Sequence, residues 1–102
     1  MKIICIGRNY LEHAKELKNE VPGSPLIFMK PETSLMRGNR WEHPTFSKNV
    51  HYECEWVVRI SKKAKNIDER IALEHVDAMS LGIDFTARDI QTQLKSKAHP
   101  WE

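Results

Sequence analysis

The chain is short of cysteine, lacks any long apolar run, and carries no excess of either charge. Cysteine occurs twice in 102 residues, at Cys5 and Cys54. Two cysteines so far apart make neither a disulfide framework nor a zinc signature. Both fall in apolar, strand-like patterns and read as small buried hydrophobes in a reducing compartment. No stretch approaches the roughly 18 apolar residues of a membrane span. The opening Met1-Lys2-Ile3-Ile4-Cys5-Ile6 is too short for the apolar part of a secretory leader before Gly7 and Arg8 interrupt it. Sixteen basic and 14 acidic residues leave a net charge of +2, without the concentrated basic face that nucleic acid would need. Repeats and low-complexity segments are absent from the sequence. These absences lead to the expectation of a cytoplasmic protein with neither membrane nor nucleic acid as partner.

The remaining composition is ordinary for a soluble protein, with 40% hydrophobic and 29% charged residues. The length suits one domain at most. Residues 2–6 form a short β run that Gly7 ends. Residues 10–19 read as a helix, with Leu11, Ala14 and Leu17 near one face. Strands are expected at 26–29, stopped by Pro31, at 50–60, and at 76–84. A short helix over 68–75 would take Asp68 as its N-cap. A last helix, from Thr86 to about Lys97, opens on Thr86 with Asp89 three residues on, the pattern of a capping box.

The run His51-Tyr52-Glu53-Cys54-Glu55-Trp56 carries the most chemistry. Strand side chains alternate between faces, so Glu53 and Glu55 share one face and Cys54 and Trp56 take the other. Two glutamates at about 4 Å in an effective dielectric near 20 repel by roughly 4 kcal/mol. A hard divalent cation offsets that repulsion, and oxygen ligands suit magnesium or calcium. The same pair would also suit an exposed strand facing water. Asp84, in Leu81-Gly82-Ile83-Asp84-Phe85-Thr86, is a third carboxylate, placed where a strand hands over to a helix. On its own it reads by default as a plain turn residue. His13 and Glu16 lie i, i+3 on the first helix, where a carboxylate can orient an imidazole and raise its basicity. A solvated helix face accounts for them too. Arg88 and Gln91 are also i, i+3 and can face one site, and Arg8 is a further cation that could hold a carboxylate.

Four blocks in order resemble the fumarylacetoacetate hydrolase family. They are Gly7-Arg8-Asn9-Tyr10-Leu11-Glu12-His13-Ala14-Lys15-Glu16-Leu17, Phe28-Met29-Lys30-Pro31, His51-Tyr52-Glu53-Cys54-Glu55, and Gly82-Ile83-Asp84-Phe85-Thr86-Ala87-Arg88-Asp89-Ile90-Gln91. The resemblance implies an α+β fold, a mixed rolled β-sheet system with short helices, of which this chain is the N-terminal part. It implies Glu53, Glu55 and Asp84 as metal ligands, for magnesium or alternatively manganese or calcium. It implies His13 and Glu16 as the catalytic pair, on a segment that closes over substrate, and Arg8, Arg88 and Gln91 as substrate-binding residues. The reaction expected is a metal-assisted one on a small keto acid or β-diketo acid, through an enolate. Acylpyruvate or fumarylpyruvate hydrolysis, and isomerisation or decarboxylation of 2-hydroxyhepta-2,4-diene-1,7-dioate, all fit that logic. A homodimer is expected, since the long strands would leave open edges. Family members run about as long again, with a substrate-contacting lysine and a glycine-rich turn beyond the aspartate block. A non-catalytic remnant that binds a cation or another chain is therefore the alternative function.

Overall fold

Short apolar runs broken by Gly7, Pro25 and Pro31 give the first two strands, β1 (Ile3–Gly7) and β2 (Leu26–Lys30), which pair antiparallel from Ile3↔Lys30 to Gly7↔Leu26. The structure, a computed structural model, describes residues 1–10, 12, 16 and 22–101. The chain divides into two units, Met1–Glu42 and His43–Trp101. In the first, Ile3, Cys5 and Phe28 share the half-buried face of the β1–β2 ladder. A 3-10 turn over Glu32–Ser34 follows β2. Glu32 accepts from the chain's own terminal ammonium and, at 3.2 Å, from Arg37. Of the helix expected over 10–19, Glu12 and Glu16 are described and helical, Tyr10 is a bend before them, and residues 11, 13–15 and 17–19, His13 included, lie outside the described residues.

The second unit is built on one long ladder. Strand β3 (Val50–Ile60) pairs antiparallel with β4 (Val76–Ala87), with a bulge between Arg59 and Ile60. At the bulge, Arg59 grips Asp77 with two bonds of 2.7 and 2.9 Å. A 3-10 helix, Glu69–His75, joins the two strands. Asp68 caps it as expected, accepting from the Arg70 backbone N–H at 2.9 Å. Helix α1 (Arg88–Ser96) follows β4 directly and packs on both strands. Among the described residues no helix is long and apolar enough to cross a membrane.

Three expectations need correction. β4 runs three residues further than its apolar pattern suggests, so Asp84 lies within the strand and not at its handover to the helix. The capping box does not form: Ala87 holds the N-cap position of α1 with no side-chain cap. Cys54 is not buried but exposed, and Cys5 is half-buried; neither is in a disulfide. Cys54 is exposed because the face it shares is bare. Tyr52, Cys54, Trp56 and Val58 align with Phe85, Ile83, Leu81 and Met79 on that face. Trp56 is 66% exposed and Leu81 75%. The opposite face, with Glu53, Glu55 and Asp84, is the half-buried one.

Candidate metal centre

The register supplies what sequence alone does not. Glu53 stands directly opposite Asp84, and Glu55 opposite Gly82. Opposite residues of an antiparallel pair share a face, with Cβ atoms about 5 Å apart, and the diagonal partner lies at about 7–8 Å. Glu53, Glu55 and Asp84 therefore occupy three adjacent points of one half-buried patch. Gly82 keeps the patch open across from Glu55, since a Cβ there would come within 2.8 Å of Val57 Cγ2.

Helix α1 brings a cation to this patch. The Arg88 guanidinium pairs with Glu53 through Nη2 and donates through Nη1 to Gln91 Oε1 at 3.0 Å. Arg88 and Gln91 thus work as a unit, as their i, i+3 spacing suggests. Lys95 Nζ reaches the same Gln91 oxygen at 3.3 Å. Arg88 Nε is buried without a hydrogen-bond partner.

Residues that sequence reasoning passed over fix the helix against the strand. Ser47, only 3% exposed, donates to Asp89 Oδ1 at 2.7 Å, and the Lys48 backbone N–H donates to Oδ2 at 2.9 Å. The Arg88 N–H donates to the Asn49 carbonyl at 2.8 Å. Segment 47–49 is thereby clamped to the start of α1, which sets where β3 begins and where Glu53 sits. The Ser47 hydroxyl, then the Lys48 N–H, hold the Asp89 carboxyl below its ordinary pKa. No local pattern marks this clamp; its partners lie 41 and 42 residues apart.

The donor set fits a hard divalent ion: three carboxylates on one face, with a guanidinium now balancing one of them. The backbone brings the three together, while their side chains, as placed, do not close on one point; among the described residues no three acidic, histidine or cysteine side chains form a metal-holding group. Glu53 is instead turned to Arg88. In the first unit, Arg8 adopts a left-handed backbone (φ 54°), rare for a residue with a side chain. It lines a cleft of about 290 Å³ with Asn9, Gly23 and Ser24. Glu16 is an exposed helical residue; its expected partner His13 is outside the described residues.

The family model described as fumarylacetoacetate (FAA) hydrolase C-terminal matches residues 2–102. The mitochondrial oxaloacetate decarboxylase of Dictyostelium discoideum is 43% identical over 98% of this chain and 47% of its own length. The mitochondrial oxaloacetate tautomerase of Arabidopsis thaliana is 42% identical over 98% of this chain and 45% of its own. The fumarylpyruvate hydrolase of Pseudomonas aeruginosa, solved with Mn2+ and pyruvate, superposes with a TM-score of 0.87 at 34% identity, over all of this chain and 46% of that one. The chain thus spans about half the length of the relatives it matches. The described strands and short helices are an α+β arrangement, and the chain matches the fold of that solved structure.

Proposed function

Because the chain belongs to the fumarylacetoacetate hydrolase family, we propose that it provides the carboxylate-bearing part of a metal-dependent enzyme acting on a small keto acid. The observation that carries this reading is the patch of Glu53, Glu55 and Asp84 on one half-buried face of the β3–β4 ladder. These three residues would hold the ion, magnesium, or manganese as in the Pseudomonas neighbour. When bound, such an ion polarises a carbonyl and favours negative charge on its oxygen. Arg88 and Gln91 orient a substrate carboxylate, a task for which a guanidinium fork is well shaped. Arg8 is a further cation for an anionic group. His13, with Glu16 three residues on, moves a proton to or from water or substrate.

The substrate class follows from what the relatives share. Oxaloacetate and fumarylpyruvate, named in those proteins, both carry a carboxylate next to a ketone. The candidate reactions are C–C hydrolysis of an acylpyruvate or fumarylpyruvate, and tautomerisation, decarboxylation or isomerisation of a related keto acid. All draw on the same stabilisation of charge at the carbonyl oxygen. We further infer a homodimer, because β3–β4 leaves an apolar face uncovered, and a cytoplasmic setting that keeps Cys5 and Cys54 reduced; cell fractionation checks the latter.

Thermal unfolding with and without Mg2+ or Mn2+ tests the metal reading. Saturating metal raises the melting temperature by roughly ten to twenty degrees, the size expected for a ligand at about a hundred times its Kd. The double variant Glu53→Gln, Glu55→Gln removes that rise. Incubation of the metal-loaded chain with oxaloacetate and with an acylpyruvate tests the chemistry. Metal binding with no turnover of either identifies a cation-binding module in place of an enzyme.

A further inference from the structure

We propose that Arg88 is an internal counter-cation which the metal displaces, so that loading the ion releases the guanidinium to bind substrate. The inference rests on the metal reading above and goes beyond it by coupling the two binding events in a fixed order.

The argument starts from charge. Glu53 lies opposite Asp84 and two residues from Glu55. Three half-buried carboxylates repel, and a low-dielectric setting makes that repulsion matter. The structure meets it with Arg88, whose side chain is 15% exposed, against the Glu53 carboxylate, 27% exposed. The contact uses the same Glu53 group that the metal would need. A dication and a guanidinium on one carboxylate repel each other and compete for its charge, so each weakens the other's hold on Glu53.

The remaining Arg88 contacts show what release would do. Nη1 stays anchored on Gln91 at 3.0 Å, within α1 itself. Nε is already buried without a partner. Letting go of Glu53 opens Nη2. Nε–H and Nη2–H then form the side-on fork of a guanidinium, the geometry that takes a carboxylate through two parallel bonds. Without metal, half of that fork is engaged by Glu53. With metal, both N–H groups of that fork are left for a new acceptor while Nη1 keeps its anchor on Gln91. A keto-acid carboxylate therefore binds the metal-loaded chain far better than the metal-free one. By linkage, substrate tightens metal binding by the same factor.

Two measurements on the 102-residue chain test this. Calorimetric titration with Mg2+ compares the unaltered chain with Arg88→Ala and, as a control for net charge, with Lys62→Ala on the exposed segment after β3. Removing the competing guanidinium tightens Mg2+ binding by roughly three- to tenfold at low salt, whereas Lys62→Ala leaves it within twofold. The Arg88 Nε–H resonance, assigned through its loss in Arg88→Lys, follows the side chain directly in the unaltered protein. It shifts on adding Mg2+, shifts again on adding pyruvate to the loaded chain, and stays still when pyruvate is added without metal. Equal Mg2+ affinity in Arg88→Ala and the unaltered chain, or a resonance indifferent to Mg2+, overturns the displacement while leaving the metal site standing. Failure of the unaltered chain to bind Mg2+, or binding that Glu53→Gln leaves intact, overturns the metal reading and this inference with it.

Discussion

Asp89 reaches 42 residues back along the chain to take a hydrogen bond from Ser47, and one from the Lys48 backbone beside it. Both donors favour the ionised carboxylate, so its pKa lies below the ordinary value of 3.8. The unfolded chain then takes up the proton more readily than the folded one. The stability this group contributes is present above the ordinary value and is lost as pH falls through the depressed one. Asp89→Asn keeps the shape but lacks the charge and one acceptor. At pH 7 it lowers the melting temperature by roughly a few degrees. Melting curves from pH 7 down to pH 2 show the gap between the two proteins closing below about the ordinary carboxylate value. A gap constant with pH would show that the charge is irrelevant. The same variant loosens the clamp that positions Glu53, so its Mg2+-induced rise in melting temperature is smaller. This residue also shows where reading a sequence stops. Thr86 and Asp89 match the local spacing of a capping box, but the carboxylate finds better donors in a distant segment, and Ala87 is left at the N-cap. Local spacing records which bonds are possible, and tertiary contacts decide which form.

At the scale of the element, the β3–β4 ladder was legible in its faces and not in its register. Alternation places Glu53 and Glu55 together because the period of a strand is two. The 50–60 boundaries are sharp because Pro44 precedes the run and the basic segment 61–66 follows it. That Asp84 stands opposite Glu53 depends on how two strands meet across a 15-residue connection, 61–75, which no local pattern encodes. Gly82 is a tight point of the element. A methyl group there would lie 2.8 Å from Val57 Cγ2, on a β-branched side chain with little rotational freedom. Gly82→Ala is therefore expected to cost about 1–3 kcal/mol through overpacking. Adding Val57→Ala removes the opposing methyl, and the double variant recovers most of the loss. Denaturant unfolding of the four proteins in the cycle gives the coupling directly. Additive effects would mean that the ladder absorbs the methyl by shifting, and that Gly82 serves only to keep space beside Glu55.

For the whole molecule, what matters is the contrast between the two faces of that ladder. The face with the carboxylates is half-buried, while Tyr52, Trp56, Met79, Leu81 and Ile83, each at least 60% exposed, lie bare on the other. Isolated apolar residues on a surface are ordinary; a contiguous row of them marks an interface. Side chains of this size cover on the order of 700–800 Å² together, about what one partner contributes to a standard interface. An apolar face without charges can also meet the requirement of a twofold contact, that the same patch be complementary to itself. A second copy of the chain is the occupant this favours. Sedimentation over a range of concentrations is expected to give a dimer. Trp56→Ser with Leu81→Ser shifts the protein to monomer and raises its binding of a hydrophobic dye only if the face was buried against a partner before. The carboxylate face points the other way, so Mg2+ binding survives in the monomeric variant. A chain that sediments as a monomer at all concentrations, with the dye already bound, would show that the face has no second copy on it. Loss of Mg2+ binding on dissociation would show that the metal site draws on the dimer, and that the two faces are coupled and not independent.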